Sequence, residues 1–444
     1  MESLSAKMVP MDHAGPRKKI LLLNLPFPRP VQRDYGCPHG IKAAYCWPPI
    51  DLVMFGAAAG AAGEIEYLDC IAGRVGPDEA LERVKRANPD IVFSVISSIT
   101  LENDLRFLVD VKRALPAVSL WASGDLVFFT SGEYPPLDVY LRDLTNRAGI
   151  LELLAQDSPA GVVGSASGGT FSQGIFPHEL LKSYGYCMPY SFCRGITAVL
   201  TNYGCPYRCT FCNSNRIPFK RRDMADLLKE LEYIKGKGIR EVLFRDFTFN
   251  ASDAEQLCDE MTARGIDLRW SCWTRMDLVN GRILAKMKQA GCYLVSYGIE
   301  SCEPWIQEKT GKNLDVPEMR EKVAMTRAAG LEVLASVILG FPGEDPQLTI
   351  SRIKEIDPDY LAVNLLVPRV GSALANEYGE VSVGDGADSL LSGNVSLTGM
   401  RDRLEREFYL RPGKLLRYLR LALRSPQRLA VFVRNARGIA GRWR

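Results

Sequence analysis

At 444 residues the chain is long enough for two or three domains, each able to bury a full core. Its 47% hydrophobic and 24% charged residues are those of an ordinary globular protein, and its longest nearly charge-free apolar stretch, Leu52 to Gly63, is too short to span a bilayer. Only three histidines (His13, His39, His178) argue against His-based catalysis, and twelve cysteines with no export signal predict reduced thiols and a cytoplasmic location.

Residues 1–16 read as a loose tail. Lys19–Asn24 is an apolar run ended by a Pro-rich loop, the pattern of a buried parallel strand. A helix follows from Pro48 to about Ala62, then strand Glu64–Cys70, helix Asp78–Ala87, strand Asp90–Val95, helix Leu101–Leu115 and strand Val118–Ser123. Strands alternating with helices of this length predict a doubly wound parallel sheet over residues 17–155, with ligands beyond the strand C-termini. The loops 26–49, 97–100 and 124–129 would then face one crevice. The long loop 31–47 holds Arg33, Asp34, Cys37, His39 and Lys42 among aromatics and reads as a crevice lining, whereas Cys37, His39 and Cys46 are poorly spaced for a metal. Residues 156–190, rich in Gly, Ser and Tyr, read as a connection.

Strand–helix units then recur. Strands are expected at Gly195–Thr201, Glu241–Asp246, Asp267–Trp273, Tyr293–Gly298, Glu332–Leu339 and Tyr360–Val367. Helices fall between them at Asp223–Lys237, Ala254–Arg264, Gly281–Ala290, Asp315–Ala329 and Pro346–Glu355. Directly after the first of these strands stand Cys205, Cys209 and Cys212 at C-x3-C-x2-C spacing, with Phe211 before the third. Thiolates are the soft ligands of iron–sulfur clusters and of zinc. A structural zinc site closes with four ligands, and no fourth Cys or His stands at matching spacing nearby. Three cysteines on a [4Fe–4S] cluster leave one iron open. Cys70, Cys258, Cys272 and Cys292 sit in apolar segments and read as small buried residues.

This motif resembles the signature of the radical S-adenosylmethionine (SAM) superfamily. The resemblance implies a [4Fe–4S] cluster whose open iron chelates SAM, reductive cleavage to a 5′-deoxyadenosyl radical, and hydrogen abstraction from a substrate. It also implies a partial (β/α)6 barrel over 191–375, which the six units fit. Tyr297-Gly298-Ile299-Glu300-Ser301 is similar to the fourth-strand segment whose Glu contacts SAM, and Gly340-Phe341-Pro342-Gly343-Glu344-Asp345 to the G-x-P-G-E-T segment near the adenine. Arg245-Asp246-Phe247-Thr248-Phe249-Asn250 resembles the D-D-x-F segment of the cobalamin-type subclass, with Arg245 in place of its first acid. The implied SAM contacts are Phe211, Asp246, Gly298, Glu300, Ser301, Gly340 and Pro342. Trp273, Arg275, Asn364 and Arg369 end strands and are expected at the cavity, and Arg208 in the cysteine loop is a candidate to tune the cluster.

The first domain is similar to the cobalamin-binding domain fused to many such enzymes, but it departs from that pattern. D-x-H-x-x-G is absent, the Gly-Gly after the fourth strand is Ser123-Gly124-Asp125, and Arg142–Asn146 replaces a Gly-Glu-Gly-Glu stretch. Two readings stand: a cobalamin-type C-methyltransferase of a secondary metabolite or lipid, or a cobalamin-free radical SAM enzyme of dehydration, epimerisation or rearrangement with a vestigial domain. A non-catalytic iron–sulfur or zinc scaffold is the remote third. The class implies an electron donor such as flavodoxin or ferredoxin. No stacking aromatics interleave with basic residues, so no nucleic-acid partner is expected.

Residues 376–444 are a basic helical region, opened by a Gly/Ser/Asp loop at 379–399. The last 44 residues carry 13 Lys or Arg against three acids, a net of +10, leaving −7 on the other 400. Leu415, Leu416, Leu419, Leu423, Leu429 and Val433 follow helical spacing. Such an end docks on the acidic remainder of the chain or makes peripheral contact with an anionic membrane, and docking is the primary expectation.

Overall fold

The computed structural model describes residues 17–41, 46–164, 168–378 and 395–423, with 429, 430 and 433. The expected tail and most of the 379–399 loop lie outside the described residues.

The N-terminal sheet runs β1 Lys18–Asn24, β2 Gly63–Asp69, β3 Ile91–Val95, β4 Ser119–Ser123, β5 Val139–Leu141 and β6 Gly161–Val163. Its order is β2-β1-β3-β4-β5-β6 with every neighbour parallel, the doubly wound arrangement expected. β1 shows why an unbroken apolar run is needed here. Ile20 and Leu22 pack on the side of helix Ile50–Ala59, while Leu21 and Leu23 pack on the opposite side with helices Pro77–Ala87 and Leu101–Ala114. Burying each such side chain contributes about 1.5–3 kcal/mol. β6 falls in the stretch read as connection. Its three residues are too few to carry a periodic signal, and two of them are exposed at the sheet edge.

The second sheet is β7 Thr197–Val199, β8 Glu241–Phe244, β9 Arg269–Thr274, β10 Cys292–Glu300, β11 Glu332–Leu339 and β12 Tyr360–Leu365. All six strands are parallel and in sequential order, so the sheet is a partial (β/α)6 barrel. Alternation assigns the faces. Val242, Phe244, Trp270, Cys272, Val295 and Val333 face the outer helices. Ala198, Leu243, Leu294 and Leu334 face inward, into the same apolar cluster as Phe55, Trp121 and Tyr186 of the N-terminal half. The two halves therefore share one core.

Both barrel edges are covered. Helix Ile50–Ala59 packs beside β7, and helix Val395–Tyr409 lies on β12, where Tyr409 Oη accepts the Leu361 N–H (2.9 Å) and donates to the Leu361 carbonyl (2.7 Å). That helix begins at Val395, inside the stretch expected to be a loop. Leu404 and Phe408, four residues apart on its inner face, are fully buried in the barrel core, and this burial outweighs the Gly- and Ser-rich start.

Candidate active site

β7 ends at Val199, and the chain turns at once into the cysteine loop. Asp246, just beyond β8, fixes that turn: its Oδ1 accepts the N–H groups of Thr201 (2.8 Å) and Asn202 (2.9 Å). Asn202–Tyr203 then pairs with Lys220–Arg222 to close the base of the loop. At Gly204, with φ +73°, a Cβ would stand 2.6 Å from the Ile217 carbonyl, so only glycine fits there. Thr210 clamps the far side through its N–H to the Thr310 carbonyl (3.4 Å), its hydroxyl to the Lys309 carbonyl (3.0 Å), and its own carbonyl to the Leu374 N–H (2.9 Å).

On this braced loop Cys205 Sγ lies 3.6 Å from Thr248 Oγ1, Arg275 Nη1 donates to Cys209 Sγ (3.4 Å), and Cys212 Sγ meets Ser214 Oγ (3.2 Å) and N (3.4 Å). Burial pushes the Cys212 thiol up to about 11 and raises Cys209, and Lys312 and Arg275 act against that rise at Cys209. The cations facing the loop are therefore Arg275 and Lys312. Arg208, the candidate nearest in sequence, points to solvent. Among the described residues no group of three His, Cys, Asp or Glu closes on a single metal ion. Three thiols spread along a loop beside two cations fit a cluster, whose irons stand apart, better than one zinc closed by four ligands.

The residues implied as SAM contacts divide. Phe211 packs with Phe341, Ile306, Leu366 and Leu374, so the cysteine loop and the turn after β11 meet in one apolar patch. Glu300 ends β10 at φ +65° and pairs with Lys312 (3.2 Å), which also donates to the Gly298 carbonyl (3.1 Å). A Cβ on Gly298 would stand 2.1 Å from Glu300 Oε1. Glu344 Oε2 accepts the N–H groups of Gly340 (2.6 Å) and Phe341 (3.2 Å); burial raises its carboxyl to about 7, and its Oε1 is buried without a partner. Ser301 is fully buried, and its hydroxyl accepts the Glu303 N–H (3.2 Å) at the start of the next helix. Pro342 is exposed on its turn. Asp246 has one orphaned oxygen, Oδ2, and burial lifts its carboxyl to about 6.

Ser271 and Ser296 lie level with the inner apolar layer and are buried in it, whereas Ser336 and Asn364, further along β11 and β12, stand above it, with Asn364 donating to Ser336 Oγ (2.9 Å). The crevice loop of the N-terminal sheet closes onto this mouth. Arg245 pairs with Asp34 (2.5 Å) and lies over the rings of Trp273 (5.0 Å) and Phe247 (5.8 Å). Tyr35 stacks on Tyr203 at 4.9 Å, and Arg369 donates to the Pro38 carbonyl. Against burial, Arg369 and His39 hold the Cys37 thiol down at about 7. Arg33 is wholly buried on Asp104 (2.7 Å), inside the loop. The hydroxyls of Ser123 and Tyr35 are buried without partners on one side of the N-terminal sheet, the side of helix Ile50–Ala59, and that of Ser94 on the other. Of the two histidines in the described residues, His39 bonds the Cys37 carbonyl (2.8 Å) and His178 bonds Thr197 and Glu230 (3.0 Å).

Sequence reasoning passed over Lys312, whose signal is a helix-end position that becomes specific only once the sheet order is known. Asp34 was read only as part of the crevice loop, and Thr248 and Glu344 only as parts of motifs.

Residues 199–350 match the family model of the radical SAM superfamily. The solved fold of the radical SAM methyltransferase TsrM from Kitasatospora setae, with cobalamin and a [4Fe–4S] cluster bound, aligns at TM-score 0.62 and 18% identity over 82% of this chain and 78% of that one. The cobalamin-dependent SAM radical enzyme OxsB aligns at TM-score 0.58 and 13% identity over 87% of this chain and 56% of that one. Residues 199–350 thus match the radical SAM superfamily, and the chain shares the two-domain fold of these solved structures. Among curated relatives, the uncharacterized methyltransferase PH0819 of Pyrococcus horikoshii is 32% identical over 40% of each chain. Tryptophan 2-C-methyltransferase of Streptomyces laurentii is 24% identical over 40% of this chain and 34% of its own length. Anaerobic magnesium-protoporphyrin IX monomethyl ester cyclase of Cereibacter sphaeroides is 24% identical over 69% of this chain and 55% of its own. The matches thus span only part of each curated relative, from 34% to 55% of its length.

Proposed function

We propose that this protein is a radical SAM enzyme that functionalises an unactivated carbon, by cobalamin-type C-methylation of a secondary metabolite or lipid. The observation that carries the reading is the braced three-cysteine loop at the mouth of a six-stranded parallel barrel, facing a crevice domain that shares its core. Cys205, Cys209 and Cys212 would hold the cluster, with Arg275 and Lys312 balancing its thiolate charge. Gly298, Glu300, Gly340 and Phe211 would line the SAM site, and Asp246 would hold the loop in register from beneath. The unpartnered hydroxyls of Ser123 and Tyr35, on one side of the sheet, would receive cobalamin, with neither His39 nor His178 as a cobalt ligand. When bound, the cluster supplies the electron that cleaves SAM, and cobalamin carries the methyl group.

The chain's own residues do the rest. The small side chain of Ser336 above the apolar layer leaves room for a substrate, and the stacked Tyr35 and Tyr203, with Trp273 beneath Arg245, keep water from the mouth. The partners under this reading are a small-molecule or lipid substrate and a one-electron donor of the flavodoxin or ferredoxin kind, in the cytoplasm. The departures of the crevice domain from the usual cobalamin pattern favour the second reading, a cobalamin-free radical SAM reaction.

Anaerobic reconstitution with iron, sulfide and hydroxocobalamin, followed by metal counts and product analysis, tests both. Four irons with one cobalt, and S-adenosylhomocysteine beside 5′-deoxyadenosine, are the expected results. Iron without cobalt, and 5′-deoxyadenosine alone, would move the assignment to the second reading. Replacing Cys205, Cys209 or Cys212 with Ala should abolish both iron binding and SAM cleavage, and cleavage surviving in any of the three would overturn the class.

A further inference from the structure

The terminal helix Pro412–Leu423 is docked with its charged side inward. Lys414, only 3% exposed, bonds Asp357 (2.9 Å) and the Pro358 carbonyl; Arg411 bonds Asp357 (2.6 Å); Arg417 bonds Asp359 (2.5 Å); and Tyr418 donates to the Asp359 carbonyl (2.5 Å). This is the expected docking on acidic residues, but the leucines take no part in it. Leu415, Leu416, Leu419 and Leu423 are 48%, 49%, 52% and 70% exposed. At helical spacing these four fall within an arc of about 100°, a continuous apolar stripe turned to solvent.

Charge selects what covers the stripe. With Arg411, Lys414 and Arg417 paired to Asp357 and Asp359, the chain from Arg420 to Arg444 still carries seven Arg and no acid. A second copy seated face to face would set this basic segment against itself. An anionic bilayer satisfies both properties at once, taking the leucines below the headgroups and the arginines among them. No helix among the described residues is long and apolar enough to cross a membrane, so the contact would be peripheral.

We infer that the Leu415/Leu416/Leu419/Leu423 face is a docking surface for an anionic lipid bilayer. Its position also limits its role. Asp357–Asp359 precede β12, at the N-terminal ends of the barrel strands, whereas the cysteine loop follows the C-terminal end of β7. In a parallel sheet these are opposite ends, so the face tethers the protein and does not gate the site. The inference goes beyond the proposed reaction and does not depend on it.

The test is flotation of the full chain with phosphatidylglycerol–phosphatidylcholine vesicles, with phosphatidylcholine alone, and with the first vesicles at high salt. The wild-type chain should float with the anionic vesicles and lose most of that binding in salt or on neutral lipid. Changing all four leucines to serine should cut partitioning at least tenfold while leaving the urea midpoint and the iron content unchanged. The inference is overturned if the wild-type chain ignores anionic vesicles or the quadruple variant binds them equally. It is equally overturned if the variant unfolds earlier, meaning that the chain covers the face itself, or if it dissolves a wild-type dimer in solution.

Discussion

Replacing Asp34 with Asn tests how the crevice loop is fastened to the barrel. The Asp34–Arg245 pair is 2.5 Å long, with side chains 1% and 9% exposed. Stranding one member of a buried pair costs about 3–5 kcal/mol, and a guanidinium cannot relieve the strain by losing its proton. Asp51 is close enough to act on Arg245 and would take over part of the neutralisation. The expected cost is therefore at the lower end, about 3 kcal/mol, or about a hundredfold in the opening equilibrium of the loop. Hydrogen exchange of the Tyr35 and Ile41 amides reads that opening, since these bond Asp51 (3.2 Å) and the Pro30 carbonyl (2.9 Å) across the loop. Both should exchange about a hundredfold faster in Asp34→Asn. Adding Arg245→Leu to the same chain should recover most of the protection, because the stranded charge is then gone. Unchanged exchange in the single variant, or a double variant looser than the single, would refute the reasoning.

Glu230 is buried, yet Arg222 and His178 hold its carboxyl at about 2, below the ordinary 4.5. A lowered acid contributes stability that is complete above pH 4.5 and lost as pH falls through 2, here about 3 kcal/mol. Glu230→Gln should lower the urea midpoint at pH 6 and converge on the wild-type value near pH 2, and a constant gap across that window would count against the assignment. Gly298→Ala puts a methyl group 2.1 Å from Glu300 Oε1 and 3.0 Å from Lys312 Nζ, two side chains pinned to each other. In the reconstituted protein it should weaken SAM binding at least tenfold by equilibrium dialysis with iron retained; equal affinity would remove Gly298 and Glu300 from the cofactor site.

The order of elements was readable in the sequence because most strands of these two sheets are buried on both faces. Lys19–Asn24, Asp90–Val95 and Glu332–Leu339 announce themselves as apolar runs, and the cysteine spacing is local. What could not be read were the pairings between distant positions. Asp34 and Arg245 stand 211 residues apart, and Arg275 reaches Cys209 across 66. Nothing in either neighbourhood names its partner until the strand order brings the loops together. Arg245 shows the consequence: it departs from the family's acid, and the structure supplies an acid from the other domain, Asp34, to face it. Asp246 carried the opposite ambiguity. An acid at a strand end can meet a ligand or brace a turn, and here one oxygen is committed to the Thr201 and Asn202 amides. The leucine stripe was visible as periodicity, but only the docking of Lys414 and Tyr418 decided which face was left outside.

The bracing of the cysteine loop spreads the duty of shaping it over distant parts of the chain. Asp246, Gly204 and Thr210 fix it with carboxylate, backbone and hydroxyl contacts drawn from beyond β8, from the loop itself and from the segment around Thr310. None of the three is a cysteine, yet each sets where the thiols stand. A change at any of them would be felt at the sulfur atoms without touching one.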